Sequence, residues 1–317
     1  MKEEKDLEKK HIPVLLNELV EWITINKNKK NIVVDCTLWL WWHALEILKK
    51  MNSWDIFIWF DADIYNLKLA KQKLKQHNNN INPKIDIILI NSNFVNIKEE
   101  LDNIWIQKIS WIYYDLWMSS VHIDQAKRWF SFMQDWPLDM RFDKNKWKTA
   151  EIIVNSYKQN ELRRIFFKYS QEAKSNKIAE KILEKRKEKR IKTTLQLSDV
   201  IEKITKNIKT KARIFQALRI ETNNELENLE KSLSDAIDLL EKDWIIFVIS
   251  FHSLEDRITK QIFKKETRDC ICSDFICSCK HTKRLKLLTK KPIQPTKEEV
   301  KYNSRSKSAK VRIAKKV

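Results

Sequence analysis

A chain of 317 residues that has no glycine and 13 tryptophans is tightly restricted in the turns it can make. Glycine normally supplies about 7% of residues, and it is the one that takes positive φ or lets backbone approach a ligand closely. The tryptophans stand where glycine is expected. Trp54 precedes an apolar strand-like run, Trp136 sits in Asp-Trp-Pro, and Trp39, Trp41 and Trp42 crowd one loop. The pattern implies UGA codons that are glycine in their native context and are written here as tryptophan. The alternative is a protein truly rich in tryptophan, and the two readings differ in what that loop can hold.

Lys and Arg number 62 against 43 Asp and Glu, a net charge of +19. That excess favours a polyanionic partner, nucleic acid or an acidic membrane surface, although biased codon usage alone also gives lysine-rich surfaces. A hydrophobic content of 43% excludes a wholly disordered chain. Residues 1–10 are charged and lack an apolar h-region, so no signal peptide is expected. The longest apolar run, 244–249 with Phe251, falls far short of the ~20 residues of a membrane span. A cytoplasmic, non-membrane protein is expected. Four of the five cysteines fall within 270–279, which is not the pattern of a secreted disulfide framework.

Hydrophobic periodicity predicts helices over 14–25, 43–51 and 64–76, and strands over 31–35, 55–60, 85–90 and 109–114. Strands alternating with helices in this way indicate βαβ units and a parallel sheet. From 119 to 212 no strand is expected, and 161–169, 177–189 and 197–208 read as helices. The alternation resumes with a helix over 224–240, a strand over 245–250, a helix over 254–265 and an apolar run at 309–314. The expected organisation is a Rossmann-like α/β domain in two parts, 1–118 and 213–317, the second with a basic C-terminal tail. An all-helical insertion, 119–212, interrupts it.

The first crossover runs Asp35-Cys-Thr-Leu-Trp-Leu-Trp-Trp-His43 between a strand and a helix. With glycine at the tryptophans, such a loop lets backbone pass close to a ligand and brings helix against strand. Asp61 ends the second strand, 20 residues after Trp41, where a carboxylate meets the ribose hydroxyls of a bound nucleotide. Capping of the next helix is the plainer role for Asp61. Asp115 ends the fourth strand, at the edge where such sheets hold ligands; it too suits a cap. These features leave a dinucleotide and S-adenosylmethionine both open.

Later blocks narrow the choice. His11-Ile-Pro-Val-Leu-Leu, the Asp35–His43 loop, residues 115–120 and Arg128-Trp-Phe-Ser-Phe-Met-Gln-Asp-Trp-Pro-Leu-Asp-Met-Arg141 resemble successive signatures of the bacterial 16S ribosomal RNA (cytosine-N4)-methyltransferases. Phe215-Gln-Ala-Leu-Arg-Ile220 and Ser250-Phe-His-Ser-Leu-Glu-Asp-Arg257 continue the series. At the glycines of those blocks this chain has Trp39, Trp41, Trp42, Trp117, Trp129 and Trp136.

The resemblance implies a Rossmann-like class I methyltransferase sheet and methylation of a cytidine N4 amine in the decoding region of 16S ribosomal RNA. S-adenosylmethionine is the implied cofactor, and 16S RNA or the small ribosomal subunit the partner. Its implied cofactor site comprises Trp41, Trp42, His43, Asp61, Phe94 and Asp115. His122 stands where the family has glutamine. Asp115 is the candidate to orient the amine, and His252 is a second polar candidate. Ser253 to Asp256 also has the spacing of a capping box.

RNA contacts are expected from the basic runs 181–192 and 280–317, and from Phe130 and Phe132 beside Arg128. Cys270, Cys272, Cys277 and Cys279 are candidate metal thiolates. Two rivals remain: a non-catalytic RNA-binding protein, if real indoles fill the loop, and an NAD-dependent oxidoreductase, which accounts for none of the later blocks.

Overall fold

The computed structural model describes residues 13–37, 42–76, 84–116, 134–272 and 278–317. It divides into a sheet unit, residues 10–117 and 226–317, and a helical unit built on residues 118–225.

The sheet unit holds β1 (Ile32–Asp35), β2 (Ile56–Phe60), β3 (Asp86–Ile90), β4 (Ile109–Asp115), β5 (Leu240–Ser250), β6 (Leu285–Leu287) and β7 (Lys310–Lys316). Their spatial order is β3-β2-β1-β4-β5-β7-β6. The first five strands are parallel, while β7 runs antiparallel to both β5 and β6. This is the Rossmann-like, mostly parallel sheet that the sequence implied. Strand order reverses between β1 and β4, so a crevice is expected beyond their carboxyl ends.

Every residue of β2 and of β4 is buried, as required of parallel strands covered on both faces. Alternate residues feed two cores. Val33, Phe57, Trp111, Tyr113 and Phe247 join Leu19, Ile47 and Leu67 on one face. These last three come from α1 (Leu16–Trp22), α2 (Trp42–Lys50) and α3 (Ile64–Gln76). Val34, Ile58, Ile112, Tyr114 and Val248 join Leu101, Leu233 and Phe263 on the other. The partners there are α4 (Ile97–Asn103), α10 (Glu225–Leu239) and α11 (Ser253–Glu266).

In the helical unit, α5 (Ala150–Ser156), α6 (Gln159–Ser170), α7 (Ser175–Glu188), α8 (Thr194–Glu202) and α9 (Ile208–Asn223) are the regular elements described. Ile153, Leu162, Phe166, Ile178, Ile182, Leu197, Ile214 and Leu218 are buried among them. The expected boundary at 212 falls inside α9, and the division lies at Glu225 instead. A helix whose Ile214, Ala217 and Leu218 are buried cannot be cut at its fifth residue. Asn224, with φ 52, ends α9 as a left-handed cap.

The C-terminal segment is not a tail. It forms β6, α12 (Lys297–Tyr302) and β7, and β7 lies between β5 and β6. Arg312 pairs with Asp256 at 2.6 Å, and Lys316 donates to the carbonyl of Ile237 at 2.6 Å. Part of that basic run is therefore structural. Among the described residues, no helix is long and apolar enough to cross a membrane.

Candidate active site

The parallel strands deliver Asp35, Asp61 and Asp115 to one edge of the sheet, at or just past the ends of β1, β2 and β4. Asp35 is the best anchored. Its Oδ1 accepts the Thr37 N–H at 2.9 Å, and its Oδ2 accepts Trp59 Nε1–H at 2.6 Å and the Tyr113 hydroxyl. Burial pushes its carboxyl well above the usual range, against those donors. Burial likewise pushes the Tyr113 phenol up, so it stays a donor. Thr37 then links the loop to β4, its Oγ1 accepting the Asp115 N–H at 2.7 Å. Asp35 and Tyr113 were not among the sequence candidates for the site; the quoted loop began at Asp35, but Tyr113 gave no signal beyond an apolar strand.

His43, the second residue of α2, is buried. Its Nε2 lies 3.0 Å from the carbonyl of Val14, and its Nδ1 lies 3.5 Å from Asp115 Oδ2. A carbonyl can only accept, so the proton sits on Nε2 and Nδ1 presents a lone pair to Asp115. Burial lowers the imidazole to about 4, with the Val14 hydrogen bond opposing, and the ring is neutral at pH 7. Trp42, at the head of α2, packs half-buried against the first core.

The cap of α3 is Asp63, whose Oδ1 accepts the Tyr65 N–H at 2.9 Å. Asp61 instead braces that turn: its Oδ1 accepts the Asp63 N–H at 2.6 Å, and its Oδ2 accepts Asn66 Nδ2 at 2.9 Å. The residue is only half-buried. Phe94 follows β3 and sets its ring edge-to-face with Tyr114 at 5.8 Å. A half-buried carboxylate at one strand end and a half-buried aromatic on the neighbouring strand end suit the diol and the base of an adenosyl group. Trp41 and His122, like Trp39, Phe130 and Phe132, lie outside the described residues.

His252 is a cap. It precedes α11, and Glu255 Oε2 reaches back to the N–H groups of Phe251 and His252 at 2.8 and 3.1 Å. The capping box thus spans His252 and Glu255, one residue earlier than the Ser253–Asp256 spacing suggested. The signature at 215–220 is structural too. Arg219 is buried and grips Glu225 with two bonds of 2.7 and 2.8 Å.

The basic run at 181–192 is largely compensated. Lys185 pairs with Glu188 at 2.8 Å and Arg190 with Glu151 at 2.7 Å, while Arg186 donates to the carbonyls of Val154 and Tyr157 at 3.0 and 2.7 Å. A second feature of the helical unit has the residue types that nucleic acid calls for. Arg163, Arg164 and Phe167 of α6 line a cleft of about 520 Å³ with Ser175 and Asn176 at the start of α7. Phe167 is 63% exposed. An arginine-flanked, solvent-facing aromatic is a platform for an unstacked base.

The model of the MraW methylase family matches residues 8–317. A protein named Ribosomal RNA small subunit methyltransferase H from Finegoldia magna is 43% identical, with 98% of this chain and 100% of that protein covered. Proteins of the same name from Clostridium botulinum and Clostridioides difficile are each 42% identical. The first match covers 98% of this chain and 100% of the relative, the second 97% and 99%.

Proposed function

The chain belongs to the MraW methylase family, and from that premise we propose that it methylates the exocyclic N4 amine of a cytidine in the decoding region of 16S ribosomal RNA. The observation that carries this reading is the end-to-end match to small-subunit ribosomal RNA methyltransferases. Bound S-adenosylmethionine supplies an electrophilic sulfonium methyl, so the protein must mainly align the amine and receive its proton.

Asp61 would hold the ribose hydroxyls of the cofactor, and Phe94 would pack against its adenine. Positions 41 and 42, as glycines, and His122 are the remaining cofactor-binding candidates. Asp115 accepts a hydrogen bond from the cytidine amine and turns its lone pair toward the methyl. As the amine loses its proton, Asp115 takes it, and the lone pair on His43 Nδ1 accepts the new O–H. His43 is therefore a positioning residue for Asp115 rather than a cofactor ligand, since Val14 already holds its other nitrogen.

The helical unit binds the substrate, through the α6–α7 cleft lined by Arg163, Arg164 and Phe167. Its partner is 16S RNA, free or within the small subunit, and the setting is the cytoplasm. The test is binding of S-adenosylmethionine against NAD, followed by transfer of a labelled methyl group to small-subunit RNA. For the chain carrying glycine at its 13 tryptophan positions, binding of S-adenosylmethionine and labelled RNA are expected. NAD binding without S-adenosylmethionine binding, or bound cofactor with no label in RNA, would contradict the proposal.

A further inference from the structure

Between the end of α11 at Glu266 and the start of β6 at Leu285, the chain crosses a connector with no described helix or strand. Among its described residues, Ile271 is 36% exposed, and Arg268, Asp269 and Lys280 face solvent. Yet three thiols converge there. The Sγ atoms of Cys270, Cys272 and Cys279 all lie within 4.8 Å of one another. Those of Cys270 and Cys279 are 3.9 Å apart, far beyond the ~2.05 Å of a disulfide. Four sulfurs at ~2.3 Å around a tetrahedral zinc ion are separated by about 3.8 Å.

The backbone around the thiols is arranged for thiolates. The Ile271 N–H points to Cys279 Sγ at 3.5 Å, and the Ser278 N–H points to Cys272 Sγ at 3.4 Å. Each arm of the connector thus donates to a sulfur on the other arm. Such donors offset the negative charge that builds up when several thiols lose their protons to a metal.

We propose that Cys270, Cys272 and Cys279 bind one zinc ion, which fixes the fold of the α11–β6 connector. The ion ties the two arms of the connector together. Binding releases the thiol protons, so zinc affinity falls with pH. The site is structural: it lies on the connector, away from the strand ends that carry Asp35, Asp61 and Asp115. Cys277 lies outside the described residues and is not needed for the three-thiolate convergence.

The test is zinc content by mass spectrometry on the full-length chain, purified with a reductant and without added chelator. About one zinc per chain is expected. Replacement of that zinc by cobalt should bring the near-ultraviolet absorption of thiolate-to-cobalt charge transfer. Cys272→Ser and Cys279→Ser should each lose most of the metal. Should either variant fail to fold, alkylation of the parent chain gives the same answer, with three cysteines protected by zinc and exposed by a chelator. Less than a tenth of an equivalent of zinc with no thiolate-to-cobalt band overturns the proposal. So does a disulfide among these residues in reductant, or full zinc retention by Cys272→Ser.

Discussion

His43 Nδ1 lies 3.5 Å from Asp115 Oδ2, while the other ring nitrogen of His43 is committed to the carbonyl of Val14. The contact puts a bare lone pair beside the carboxylate that we assign to the cytidine amine. It is at the outer edge of hydrogen-bonding reach, so it closes only when a proton arrives on Asp115.

The same burial makes the stability of the chain depend on pH. His43 is held at about 4 against an ordinary 6.5. Between those values the unfolded chain binds the proton and the folded chain does not. The contribution is complete above about 6.5, shrinks as pH falls and is lost below about 4. Denaturant unfolding at about pH 7.5 and about pH 5 should show His43 costing the parent roughly 2 kcal/mol at the lower pH. His43→Asn should lack that increment. The comparison between the two chains is needed because Asp35, raised by burial, gains stability as pH falls and so tilts both curves the other way. Parallel curves for parent and variant would show that His43 titrates normally.

Asp61 stands at the end of β2, only half-buried, and accepts from Asp63 and Asn66. In the chain with glycine at the tryptophan positions, Asp61→Ala should weaken S-adenosylmethionine binding by at least tenfold, as expected for about 1.5–3 kcal/mol of lost charged hydrogen bonds. RNA affinity should hold. Asp61→Asn, which keeps a carbonyl oxygen, should lose less. Equal cofactor affinity in all three chains would remove Asp61 from the site.

The helical unit makes a sharper prediction than its charge alone suggested. Phe167→Ala and a paired Arg163→Ala, Arg164→Ala variant should weaken RNA binding, the arginine pair also flattening its salt dependence. Arg186→Ala should instead lower thermal stability, because two carbonyls lose their donor, and leave the salt slope unchanged. A flattened slope for Arg186→Ala, with none for the arginine pair, would move the RNA surface to α7.

Much of the sheet was legible because its strands are buried on both faces and so read as short apolar runs; 64–76 was met residue for residue by α3. The three-residue β6, Leu-Lys-Leu, carries too few residues to show a period. The end of the insertion was misplaced because α9 is apolar enough to suit either unit. Asp61 and Asp115 were legible as strand ends. The role of His43 was not, since Val14, its partner, lies 29 residues upstream. The pairing within 181–192 was not legible for a related reason: Arg190 finds Glu151 39 residues away.

The tryptophans bear on whether the chain as written works. Trp105 takes φ 59 and is 91% exposed, and Trp111 Nε1 is buried without a hydrogen-bond partner among the described residues. A non-glycine residue in the left-handed region costs about 1–2 kcal/mol, and a buried orphan donor about 1–3 kcal/mol. Trp105→Gly should therefore raise stability by about 1 kcal/mol, whereas Trp105→Ala, which keeps a Cβ, should gain less. The chain with glycine at all 13 tryptophan positions should bind S-adenosylmethionine, and the chain as written should not. Tight binding by the tryptophan form would overturn the recoded-codon reading.

The central claim is the identity of the methylated atom. Small-subunit RNA lacking the modification would be incubated with methyl-labelled S-adenosylmethionine and the glycine form of the chain, then digested to nucleosides for mass spectrometry. N4-methylcytidine at a single position is expected, falling at least a hundredfold in rate with Asp115→Asn. Label on a ring carbon, on ribose or on another base would contradict the account.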